Sequence, residues 1–143
     1  MQDDLLRHFQ HLLHQLKAEI AGYPDEKSLW QAPDGISNSA GNLCYHLCGN
    51  LNHFIGHGLG DTGYVRDRPL EFSIRDVPRA ELIQWVEQTS DMLARVLPGV
   101  DLEADCQPGL WPEPMKVGDE LLRLLWHLGY HLGQINYHRR LLT

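Results

Sequence analysis

Two histidines four residues apart, His127 and His131 in the run LLWHLGYHLGQI, have a spacing suited to chemistry. A helix turns about 100° per residue, so the two imidazoles would stand one above the other on one face and could chelate a divalent ion together. Two nitrogens leave such an ion short of ligands, so a third side chain has to arrive from another element. His46 in GNLCYHLCGNLNHFI is the candidate, and His53, farther along the same run, is its competitor. Three neutral imidazoles leave coordination positions open to water or substrate, the arrangement of a catalytic rather than a sealed structural site. A nitrogen-only donor set suits zinc, nickel, iron or manganese, and ligand softness does not choose among them. Histidine pairs at this spacing also arise by chance on a histidine-rich surface helix, so spacing alone does not separate a metal site from a solvated flank.

Composition bounds what those residues can serve. A chain of 143 residues has the size of one domain, so residues 1–143 are expected to fold around one core without needing a disulfide or a metal to do so. Of its three cysteines, Cys44 and Cys48 fall inside an apolar helical run and read as core filling, which fits a reduced, cytoplasmic interior. The start, MQDDLLRHFQ, lacks the basic and apolar regions of a signal peptide, and no apolar stretch approaches the ~20 residues that span a bilayer. A soluble protein with no membrane partner is expected. With 19 acidic residues against 12 basic ones, the net charge of -7 would repel a phosphate backbone, and no basic patch stands out along the chain, so nucleic acid is not an expected partner.

The elements that must position the histidines emerge from hydrophobic spacing. Leu5, Phe9, Leu12, Leu13, Leu16 and Ile20 form one stripe of a helix over residues 2–21, which Gly22 and Pro24 end. His11 and His14 lie away from that stripe and read as surface residues; His8 sits at its edge. After a turn-rich stretch in which Trp30 is expected to tuck back onto the bundle, Ser37 or Ser39 can cap a second helix running from about Ala40 to Gly58. Asp76 as cap and Pro78 in the first turn would open a third, over about 77–97. The fourth, Val117 to Leu141, buries Val117, Leu121, Leu124, Leu128, Leu132 and Ile135. Residues 59–77 and 98–116 are long connections without periodicity, the places where substrate selection would reside.

On a helical wheel, His127, His131, Gln134 and His138 fall to one side of the fourth helix's apolar arc. Asn42, His46, Asn50, His53 and His57 fall to the same rotational side of the second helix's arc. Two antiparallel helices are related by a two-fold axis, so equivalent flanks can face each other, whereas a parallel pair brings opposite flanks together. The stripes therefore meet if helices two and four are antiparallel. The 59–77 connection is long enough to cross the bundle, giving an up, down, down, up four-helix bundle, an all-α fold. Each ligating ring would donate its other N–H to an outer acceptor, for which Asn50 and Gln134 are candidates. Gly49, Gly56, Gly129 and Gly133 each cost about 1 kcal/mol in a helix interior. Close helix packing is the expected compensation, with a homodimer interface at Gly129 and Gly133.

The four-helix pattern with its long second connection, the run GNLCYHLCGNLNHFI and the terminal LLWHLGYHLGQI resemble the DinB-like superfamily of metal-dependent bundle proteins, and VRDRPLEF resembles a loop of one branch. The resemblance covers nearly the whole chain. It implies a divalent metal held by His46 together with His127 and His131. Members with known activity are thiol transferases using low-molecular-weight thiols such as bacillithiol or mycothiol, or thiol-dependent isomerases; others are stress-induced dimers without an assigned reaction. The implied partners are a small-molecule substrate, such as a low-molecular-weight thiol, and a second copy of the chain. A metal on three neutral histidines can lower the pKa of a thiol or activate water for hydrolysis. No general base is singled out: His53, Tyr45 and Tyr130 are within reach but equally suited to packing. The rival readings are a metal-carrying sensor without turnover and a structural dimer whose histidines are a solvated flank.

Overall fold

Leucine spacing at three and four residues produces the first helix, α1 (Gln2–Ala21), whose Leu5, Phe9, Leu13, Leu16 and Ile20 are all buried. The structure, a computed structural model, describes residues 1–111 and 113–143. After α1 comes a single turn, α2 (Glu26–Leu29), capped by the Asp25 carboxylate accepting from the Ser28 amide. Trp30 then folds back until its ring lies against Gly41, where a β-carbon would overlap it. Of the two serines able to cap the second long helix, Ser39 does so: its hydroxyl accepts from the Asn42 amide at 3.1 Å and opens α3 (Ala40–Leu51).

The helix does not continue regularly to Gly58. From Asn52 to His57 it widens into a π turn, then resumes as α4 (Gly58–Gly60). A π turn closes i to i+5 bonds and advances less than 100° per residue, so it rotates the later residues out of the earlier stripe. Asn52 anchors the widened segment, donating to Cys48 O at 2.8 Å and to Thr89 Oγ1 at 2.9 Å.

Residues 61–78 hold a short helix that hydrophobic periodicity does not reveal, α5 (Arg68–Ser73). Asp67 caps it, accepting from the Leu70 amide at 3.1 Å, and Pro69 fits its first turn. Asn42 ties α5 to α3. Its amide donates to Glu71 O at 3.1 Å and Ile74 O at 2.9 Å, while its own oxygen accepts from Ser39 Oγ at 2.7 Å and Arg75 Nη1 at 3.0 Å. The third long helix, α6 (Arg79–Val96), begins two residues later than expected, with Pro78 rather than Asp76 at its N-cap. Asp76 adopts a left-handed conformation with φ 61° and makes no cap bond. A 3-10 turn, Leu97–Gly99, ends that helix, and a connection with no helix among its described residues leads to α7 (Val117–Leu142).

Contacts at the helix ends give the directions. Arg79 of α6 donates to Ala21 O at the end of α1, so these two are antiparallel. Asn136 of α7 donates to Glu19 near the end of α1, so those two are parallel. Asn52 pairs with Thr89 and Gly60 packs on Val96, making the second rod parallel to α6. His46 lies against His127 while Phe54 lies under Arg123, making α3 antiparallel to α7. The order is up, down, down, up, as the histidine stripes require.

Candidate metal centre

The antiparallel packing of α3 on α7 brings His46, His127 and His131 together, with one ring nitrogen of each within 4.8 Å of those of the other two. His46 Nε2 and His127 Nε2 are 3.3 Å apart. The rings do not stack. Their planes cross at 81°, 87° and 89°, so edges rather than faces converge.

Hydrogen bonds behind the rings set which nitrogens are free. Glu71 Oε1 lies 2.9 Å from His46 Nδ1, and a carboxylate can only accept, so Nδ1–H donates and Nε2 keeps its lone pair. Gln134 Oε1 plays the same part for His131 Nδ1 at 2.6 Å. His127 Nδ1 is buried without a partner. Burial lowers the His127 pKa from its ordinary 6.5 to about 4, helped by repulsion from His131, His46, Arg123 and Arg66. Burial also lowers that of His131, followed by repulsion from His46 and opposed by its bond to Gln134. Two rings, His127 and His131, kept neutral by burial, with nitrogens gathered beside that of His46 and a carboxylate behind His46, make a donor set that fits a divalent cation.

Glu71 was invisible to periodicity. It is 1% exposed, and burial alone would raise its pKa, but hydrogen bonds from His46 and Arg66 and the guanidinium charge outweigh that and hold it below the usual carboxylate range. Arg66 grips it with two bonds of 2.9 Å, Nε to Oε2 and Nη2 to Oε1. Gly49 makes the room: a β-carbon there would overlap Glu71 Oε2. The available signal was an acid between Leu70 and Phe72, just after the Asp67 and Pro69 helix-start pattern.

The other candidates fall elsewhere. Gln134 is an outer acceptor as expected, but Asn50 is not, and its buried Oδ1 has no partner among the described residues. His53, roughly two turns along the rod from His46, packs on Phe54 with ring centres 4.7 Å apart and on His57 at 6.2 Å, outside the cluster. Tyr45 packs at the edge of the core; Tyr130 is exposed on the outer side of α7, its ring centre 5.3 Å from that of His131. His8, His11 and His14 are exposed on α1. His138 is buried in a separate network, 2.7 Å from Tyr23 Oη and 2.8 Å from Gln31 O.

A cavity of about 630 Å³ opens beside His46 and His127. Its walls include Arg66 and Arg68 from the first long connection and Leu110 and Trp111 from the second, together with Phe54 and Arg123. A helical bundle with a three-histidine cluster able to hold a metal, facing a cavity built from both connections, defines the class. The chain belongs to the DinB superfamily, whose sequence profile matches residues 4–135. No curated protein matches it. No helix among the described residues is long and apolar enough to cross a membrane.

Two outcomes are expected of this geometry. Glu71→Gln and Gly49→Ala, the second by displacing the carboxylate, should each weaken zinc binding by about 10- to 100-fold in competition with a chromophoric chelator. Unchanged affinity in both would remove Glu71 from the site. In metal-free protein, the depressed His127 pKa contributes stability that is complete above its unfolded value of about 6.5 and is lost as pH falls toward about 4. Urea midpoints should decline over that interval and decline less in His127→Gln; equal slopes would show that the ring is not held neutral by burial.

Proposed function

We propose that this protein is a metal-dependent enzyme that transfers a low-molecular-weight thiol to an electrophile, with His46, His127 and His131 as metal ligands and the adjoining cavity as substrate site. The observation that carries this reading is the convergence of three ring nitrogens within 4.8 Å, two of them on histidines, His46 and His127, that line that cavity. Thiol chemistry is what the family resemblance implies for members of known activity. A divalent ion bound there supplies positive charge that stabilises a thiolate at neutral pH. The protein's own part is to keep His127 and His131 neutral by burial, to fix the orientation of His46 through Glu71, and to limit water around the cluster. The thiol is external. Cys44 and Cys48 are wholly buried in the core, and bonding to Cys48 followed by burial raises the Cys44 pKa well above its ordinary value. Cys106 is half-buried in the second connection, with its thiol pushed up by burial. Three free thiols also support a reducing, cytoplasmic location.

Protein purified without a polyhistidine tag should contain about one equivalent of zinc, nickel, iron or manganese, and His127→Ala should lose it. Metal-free wild type, or equal metal in the variant, rules against the site. Any transfer found in a screen of small thiols and electrophiles should vanish in His131→Ala; persistence would place the chemistry elsewhere, and metal without turnover would leave a binding protein.

We further propose that two copies pair through α7. Leu122, Trp126, Tyr130, Tyr137 and Leu141 are more than half exposed and recur along one face, and Gly133 between them has open space above it. Light scattering should report a dimer for wild type and a monomer for Trp126→Glu; a monomeric wild type would rule the pairing out.

A further inference from the structure

We propose that the cavity beside the histidines takes a small carboxylate-bearing substrate, its anionic end held by Arg68 and Arg123 and its apolar body lying along Phe54 and Trp111. The inference names the substrate class of the site proposed above and rests on the histidine cluster being the reacting end. In a chain of net charge -7, folding gathers three guanidinium groups, Arg66, Arg68 and Arg123, at one cavity. Two of them face acids. Arg66 is bonded to Glu71, and Arg123 to Glu120 through Nε at 2.6 Å. Arg68 has no acidic partner among the described residues; its guanidinium lies 5.3 Å from the centre of the Phe72 ring. Three positive charges against two negative ones leave one uncompensated, on the exposed side chain of Arg68; the Arg123 guanidinium, paired with Glu120, is half-exposed on the same cavity wall.

The rest of the wall is apolar and aromatic. Phe54 and Trp111 have ring centres 4.8 Å apart at 31°, and the Arg66 and Arg123 guanidinium carbons lie 5.9 Å and 5.8 Å from the Phe54 ring centre. Such a wall suits a flat or apolar body, and guanidinium groups at its border suit a planar oxyanion that accepts two parallel N–H bonds. A volume of about 630 Å³ accommodates a small organic acid along with a second reactant.

The test is an NMR-monitored titration of phenylacetate, phenylacetamide and inorganic phosphate into zinc-loaded and metal-free protein. Phenylacetate should bind both forms, and phenylacetamide at least about tenfold more weakly, the scale of a lost charge-assisted bond. Arg68→Gln, at an exposed position, should weaken phenylacetate about tenfold with zinc content unchanged, and Arg123→Gln should weaken it as well. Equal binding of acid and amide, indifference to Arg68→Gln, or no binding by either form overturns the proposal; preference for phosphate overturns the carboxylate assignment. Arg68-dependent binding of phenylacetate by protein that takes up no zinc would sink the metal reading while leaving the anion site standing. Zinc uptake without charge preference would do the reverse.

Discussion

The buried carboxylate of Glu71 is the constraint on which the site depends. Placing an ionised carboxylate where it is 1% exposed costs several kcal/mol unless nearby groups compensate it. Arg66 supplies a charge and a two-pronged bond, and His46 supplies the remaining donor on the inner side. The same bond that stabilises the acid also fixes the tautomer and direction of the His46 ring. Orientation of the candidate ligand and satisfaction of the acid are therefore one interaction seen from two ends.

Several positions scattered through the sequence serve that interaction. Asn42 uses both functions of its amide to hold α5 against α3, bonding the carbonyl of Glu71 itself. Gly49 leaves space where any β-carbon would overlap the acid, so its cost as an interior helical glycine is offset by the placement of Glu71 rather than by a helix crossing. Gly56 fits the packing explanation better, since a β-carbon there would meet Thr62 Oγ1 at 3.2 Å and Met92 Sδ at 3.5 Å. Among the described residues, a β-carbon on Gly129 would meet only Leu12 Cδ1, at 3.9 Å, and one on Gly133 would meet nothing within 4 Å.

What could be read from the sequence was whatever repeats with the helical period. The long amphipathic runs, the topology and the juxtaposition of His46 with His127 and His131 were legible because apolar arcs and histidine stripes advance together at 100° per residue. A wheel alone did not say which histidine of the stripe would be the third partner, since it gives side and not depth: His53 lies roughly two turns along the rod from His46, against Phe54 and His57, where Asn52–His57 form a π turn. Glu71 and Arg66 escaped because their contacts are tertiary. α5 is a six-residue helix, too short to show an apolar period, and its local signs, Asp67 and Pro69, mark a helix start without saying what it packs on.

Charge shows the same limit at a larger scale. Along the chain, Arg66 and Arg68 are near neighbours, but Arg123 is more than fifty residues away, on another helix, and the bulk composition is acidic. Only when α5 docks on α3 and Trp111 closes over Phe54 do the three arginines border one cavity. Local potential near a site is set by groups within about a Debye length, roughly 8 to 10 Å, and distant surface acids are largely screened. A protein of net charge -7 can therefore present an anion-attracting entrance beside the candidate metal-ligating histidines. The overall charge discourages a long polyanion, while the local charge favours a small one.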